Sequence, residues 1–161
     1  MTEHSEGDQG SVGDAEDQGR VVVGVDGSAP SLRALEWAGR EAMHLGAVLD
    51  IWVLWMPPVP LGTMAPIGGG DYVMAAKLMA DEAAEYARER WSDLVVESHV
   101  TEASPAPALV EASRDASLLV VGSRGVGGFR GLLLGSVSHY CAQHAHCPVM
   151  VVRQRSDRDS P

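Results

Sequence analysis

The residues best suited to chemistry lie in one run, Gly122-Ser123-Arg124-Gly125-Val126-Gly127-Gly128-Phe129-Arg130-Gly131-Leu132-Leu133-Leu134-Gly135-Ser136. Its glycines permit positive φ and close backbone approach, so successive N–H groups can converge on an anion. A helix starting at Ser136 would add unpaired donors and the positive end of its dipole. Phosphate is the ligand that such a loop suits; the competing reading is a loop whose glycines serve turns alone. A P-loop needs Gly-x-x-x-x-Gly-Lys-Ser/Thr, and the chain's single lysine is Lys77. The dinucleotide fingerprint also fails, because Gly125-Val126-Gly127 is followed by Arg130 where glycine is required. Arg124 and Arg130 can pair with phosphate oxygens, but exposed arginines often stay solvated, so they rank below the glycines.

A second group, His139, Cys141, His144, His146 and Cys147, raises the question of a metal. Cys141 and His144 stand three apart, close enough on a helix to share an ion. A closed zinc site needs four converging ligands, and one helix cannot aim His139 and Cys147 at the same point, so no metal is expected there. Trp37, Trp52, Trp55 and Trp91 read as core or rim packing.

The elements that must position these residues follow from periodicity and punctuation. Val21 to Val25 is a β-branched run ending on the turn Asp26-Gly27-Ser28. Ser28 is suited to cap a helix, Pro30 to its first turn, and Gly46 to stop it. Residues 47–55 are almost continuously apolar, which marks a strand buried on both faces. Residues 57–70 hold four prolines and four glycines and read as a mobile loop. An amphipathic helix is predicted over 71–91, a strand over 94–100, a helix from Ser104-Pro105 to about Arg114, and a strand over 117–121 ending on Gly122. A last helix over 136–146 and a last strand over 148–152 complete the chain. Such alternation requires right-handed crossovers and a parallel sheet. The expected fold is therefore an α/β domain with an open five-stranded parallel sheet, order 3-2-1-4-5, and helices on both faces. Ligands bind such sheets where the winding reverses, and that order sets Asp26-Gly27-Ser28 beside the glycine-rich loop.

Composition bounds the functions. With 161 residues the chain is sized for one domain, and 45% hydrophobic residues with only one Phe imply a core of Val, Leu, Ala and Met. The net charge of −10 argues against binding nucleic-acid phosphates. Glu3, Glu6, Asp8, Asp14, Glu16 and Asp17 contribute −6 of it, in a stretch with little that is apolar beyond Val12. Residues 1–19 are thus expected to be a disordered acidic tail and residues 154–161 a second tail. Neither a spanning apolar run nor a signal-like N-terminus is present in the sequence, so a cytoplasmic protein without membrane contact is expected. Two cysteines are too few for a disulfide scaffold.

Three separated motifs in order, Val23-Gly24-Val25-Asp26-Gly27-Ser28, Gly-x2-Gly-x9-Gly-Ser at Gly122, Gly125, Gly135 and Ser136, and Cys147-Pro148-Val149-Met150-Val151-Val152, closely resemble the universal stress protein family. The resemblance spans residues 20–153. It implies a Rossmann-like fold of the adenine nucleotide alpha hydrolase type, a homodimer, and the ATP-binding branch of the family, which keeps the glycine motif. Carried over by position, Val25 and Asp26 would flank the adenosine, Leu54 would contact adenine, and Val121 would lie beneath the base. Gly122, Gly125, Gly135, Ser136 and Val137 would line ribose and phosphates. Asp26 and phosphate would repel, so a ribose hydroxyl, the adenine amino group or a bridging Mg²⁺ suits it better; its other available role is to cap the first helix, a role equally open to Ser136 at the last. Thr101-Glu102-Ala103 departs from the family, where many members carry glycine.

These readings favour an ATP-binding regulatory stress protein, with a slow ATPase or a ligand-free dimeric interaction module as alternatives. The last strand, Pro148 to Val152, falls at a sheet edge and is expected to pair with its copy in the homodimer. No catalytic residue is assigned.

Overall fold

The computed structural model describes residues 18–57, 69–126 and 134–153. The two tails expected from composition, apart from residues 18 and 19, lie outside them, as do most of the proline-rich loop and the middle of the glycine-rich loop, Arg130 included. The described elements run β1 (Arg20–Gly24), α1 (Ala29–Leu45), β2 (Val48–Trp55), α2 (Gly69–Arg90), β3 (Val96–Glu102), α3 (Pro105–Ala112), β4 (Leu118–Gly122), α4 (Ser136–His144) and β5 (Val149–Val152). All strand pairs are parallel, in the order β3-β2-β1-β4-β5.

Period-two alternation splits each strand between two cores. Val21, Val23, Leu49, Ile51, Val53 and Val120 pack under α1 and α2, where small residues at Ala34, Ala38, Ala42, Ala80, Ala84 and Ala87 let the helices sit close to the sheet. Val22, Leu119 and Val121 face the other way, against Leu109 of α3 and Cys141 of α4. Burial drives the Cys141 thiol up to about 11, which keeps it a neutral packing group. Helix α1 follows its sequence signals: Ser28 Oγ accepts from Ser31 N at 3.4 Å, and Gly46 closes the helix at φ 62°.

Several boundaries differ from the sequence expectation, each for a local reason. Strand β3 starts at Val96 because Leu94 N donates to Trp91 O, a turn that swings Leu94 into the core before pairing begins. It also runs two residues further, since Thr101 and Glu102 pair with Leu54 and Trp55. Of the departure at Thr101-Glu102-Ala103, Thr101 and Glu102 are thus strand, and Ala103, a bend just past the strand, still donates its N–H to Trp55 O at 3.1 Å. Helix α3 ends at Ala112 in a 3₁₀ turn over Ser113–Asp115. Helix α4 stops at His144 because the N–H of His146 donates to Ser113 Oγ, 2.9 Å away, rather than to a helical carbonyl. Helix α2 takes in Gly69 and Gly70, which the sequence pattern places in the loop.

Candidate functional site

At the carboxyl ends of β1, β2 and β4 the sheet opens into a cavity of about 470 Å³. This is the crevice where the winding reverses between β1 and β4, the position at which open α/β sheets bind ligands. Its floor is apolar, with Val25, Leu54, Trp52, Val121 and Leu109; its rim is polar, with Asp26, Arg124 and Ser136, and the buried Ser31 and Ser138 also line it.

The rim is built around Asp26. One carboxylate oxygen, Oδ1, accepts from Ser28 N at 2.9 Å and from Ser28 Oγ at 2.5 Å. The other, Oδ2, accepts from Val126 N at 3.1 Å and so ties the glycine-rich loop to the end of β1. Burial pushes the carboxyl up, but the hydrogen bonds from Ser28, Ser31 and Val126 outweigh it and hold Asp26 below its ordinary range. The cap of α1 is Ser28, not Asp26, which leaves Asp26 as the clasp between two segments 100 residues apart.

The two ends of the loop are closed at their base. Ser123 O accepts from Gly135 N at 2.7 Å and from the buried hydroxyl of Ser138 at 3.0 Å. Helix α4 then begins with Gly135, not Ser136, at the cap position and with no side-chain cap bond, and Ser136 is exposed, its hydroxyl making no hydrogen bond among the described residues. The first N–H groups of a helix have no carbonyl within it, and the residues carrying them here, Ser136, Val137 and Ser138, border the cavity. Arg124 brings a half-buried cation to the same rim.

The loop glycines that are described serve space rather than left-handed φ. Among the described residues only Gly27 and Gly46 have positive φ. A Cβ at Gly122 would come within 2.8 Å of the backbone of Pro30, where the end of β4 meets the start of α1. One at Gly125 would stand 2.7 Å from Asp26 Oδ2, and one at Gly135 would stand 3.3 Å from the backbone of Arg124.

All ten residues singled out from the sequence, Val25, Asp26, Leu54, Val121, Gly122, Arg124, Gly125, Gly135, Ser136 and Val137, border this one cavity. His139 and His144 are exposed on α4 away from it, and Cys141 is in the core. The lining residues that sequence reasoning missed are chiefly Trp52, Ser31, Ser138 and Leu109. Trp52 reads from the sequence as packing, yet it stands two residues before Leu54 on the same strand and so shares its face, a signal the alternation of β2 carries.

Fold and site together define a doubly wound, Rossmann-like α/β protein with a polar-rimmed crevice at its switch point. The chain belongs to the universal stress protein family, whose family model matches residues 19–153. A universal stress protein of Mycolicibacterium smegmatis is 40% identical over 135 residues, 84% of this chain and 46% of the relative. The chain spans about half the length of the curated relatives it matches. Among solved structures, a universal stress protein in complex with cAMP aligns with a TM-score of 0.63 at 30% identity, over 83% of this chain and 96% of that one. UspA from Lactobacillus plantarum shares the fold, with a TM-score of 0.66 at 20% identity over 84% and 97%. No helix among the described residues is long and apolar enough to cross a membrane.

Proposed function

We propose that this chain binds an adenine nucleotide, ATP by preference, with the base on the apolar floor and the phosphates toward the glycine-rich loop. What supports the reading is the convergence of three distant segments, around Asp26, Leu54 and Gly122 to Val137, on one cavity of a size that holds small ligands. Val25, Leu54 and Val121 offer the base an apolar surface, while the first N–H groups of α4 and the Arg124 guanidinium suit an anion. The relative solved with cAMP, an adenine nucleotide, supports the same ligand class. Asp26 serves a ribose hydroxyl, the adenine amino group or a bridging Mg²⁺.

The role is regulatory: ligand occupancy alters conformation or partner choice in a cytoplasmic homodimer joined through Pro148 to Val152, with no part for nucleic acid. Hydrolysis is slow, because the rim lacks a lysine and a positioned base, and a site that binds ground and transition states alike does not accelerate chemistry. Titration calorimetry of the full chain with ATP, ADP, cAMP and GTP tests the assignment. ATP binding with clear preference over GTP is expected; no heat with any adenine nucleotide, or equal affinity for GTP, overturns it.

A further inference from the structure

On the same side of the sheet as Leu109 and Cys141, but over β2 and β3, lies a polar cluster of Asp50, Glu97 and His99, none of which lines the cavity. Asp50 pairs directly with Glu97 across the two strands, and Trp52 with His99. All four therefore share one face. Asp50 is only 4% exposed, while the side chains of Glu97 and His99 are 42% and 41% exposed at the edge strand.

We propose that Asp50, Glu97 and His99 form a binding site for one divalent first-row cation, with zinc the best match to an imidazole and two carboxylates. One ligand atom from each lies within 4.8 Å of the others. The second observation is the state of two of those atoms. Asp50 Oδ1 and His99 Nε2 are both shut off from water, and neither makes a hydrogen bond with any described residue. They stand 2.8 Å apart, an ion-pair contact that lacks the alignment of a hydrogen bond. A shared cation would give both buried atoms the aligned partner that folded proteins supply to such groups. Ligands of one tetrahedral zinc ion, each about 2.0–2.2 Å from the metal, lie about 3.3–3.6 Å apart and aim at a common point, so binding requires these two atoms to part by about half an ångström.

Arg20 prepares the site rather than filling it. Its guanidinium holds Glu97 Oε2 at 2.6 Å and Asp50 Oδ2 at 3.3 Å, so it engages one oxygen of each carboxylate and leaves Asp50 Oδ1 to face His99. Outer partners of this kind fix the orientation of metal ligands. The charges of Arg20, Asp50 and Glu97 sum to −1, which suits a cation. The indole of Trp52 lies over the imidazole, ring centres 4.7 Å apart and planes 28° from parallel, which restrains the ring against rotation.

Native mass spectrometry and calorimetry of the full, chelator-stripped chain titrated with Zn²⁺, without nucleotide, test the proposal. One ion per chain is expected. His99→Ala and Glu97→Gln, both at half-exposed positions that tolerate change, should each weaken binding by at least about tenfold, the lower end of what even an outer-partner change costs. His144→Ala on α4 should leave it unchanged. No bound zinc, or binding that survives His99→Ala, overturns the site. Because no nucleotide is present, neither result depends on the cavity's ligand.

Discussion

Gly125→Ala places one methyl group against the clasp of the candidate site. The added Cβ would stand 2.7 Å from Asp26 Oδ2, whereas ordinary contact begins near 3.4 Å. Either the loop or the carboxylate must retreat, and in both cases the Val126 N–H to Oδ2 bond, now 3.1 Å, is lost or stretched. A hydrogen bond to a charged acceptor contributes about 1.5–3 kcal/mol. If the loop must re-form that geometry to bind ligand, ATP affinity falls by about 10- to 100-fold, at about 1.4 kcal/mol per decade. The fold stays intact, since Gly125 and Val126 are exposed and belong to neither core. Calorimetry of four proteins settles it: the original chain, Gly125→Ala, Asp26→Ala, and the double variant. Removing the Asp26 carboxylate removes the clash, so adding Gly125→Ala to Asp26→Ala should cost far less than it costs alone, a coupling of the kind contacting residues show. Normal ATP binding by Gly125→Ala, or strict additivity in the cycle, refutes the reasoning.

Three further outcomes follow from the geometry. Asp26 has a depressed folded pKa, so its contribution to stability is present above its ordinary value of 3.8 and is lost as pH falls through the lower folded value; melting temperature followed from pH 6 to pH 2 should drop less steeply in Asp26→Asn, and an unchanged acid limb would remove Asp26 from the balance. Leu119 N binds Pro148 O and Ser123 N binds Val152 O, which turns the intervening N–H of Val151 toward the free edge of β5; Val151→Pro should therefore spare the ladder to β4 and convert a dimer to monomers in sedimentation, whereas a monomeric original chain at micromolar concentration discards the interface. Phosphate release from protein freed of contaminating ATPases should stay far below about one turnover per second, the range of dedicated enzymes; several per second, abolished in Asp26→Ala, would make the protein a catalyst.

How much of this was legible in the sequence depends on how local the cause is. The strand order 3-2-1-4-5 could be read because Val21-Val22-Val23 is apolar on both faces and the two glycine-rich strand ends mark the reversal. Ser28, Pro30 and Gly46 announce α1 because caps act within a turn of the residues they serve. Non-local causes left no such mark. Glycine at 122 and 125 suggests freedom of φ, but their necessity comes from Pro30 and Asp26, about 90 and 100 residues away in the chain. The end of α4 is set by Ser113 across a loop, and no feature of residues 144–146 reveals it. Asp50 inside an apolar strand is the most instructive case. Its burial contradicts the pattern of β2, and only the register that sets it against Glu97 shows that Arg20 and His99 reach it too. A buried charge in a central strand is tolerated where partners compensate it, so such a break in a strand's apolar run is best read as a request for partners. In this chain those partners come from two neighbouring strands and lie on one face, and the same rule that made Trp52 a neighbour of Leu54 makes His99 a neighbour of Glu97.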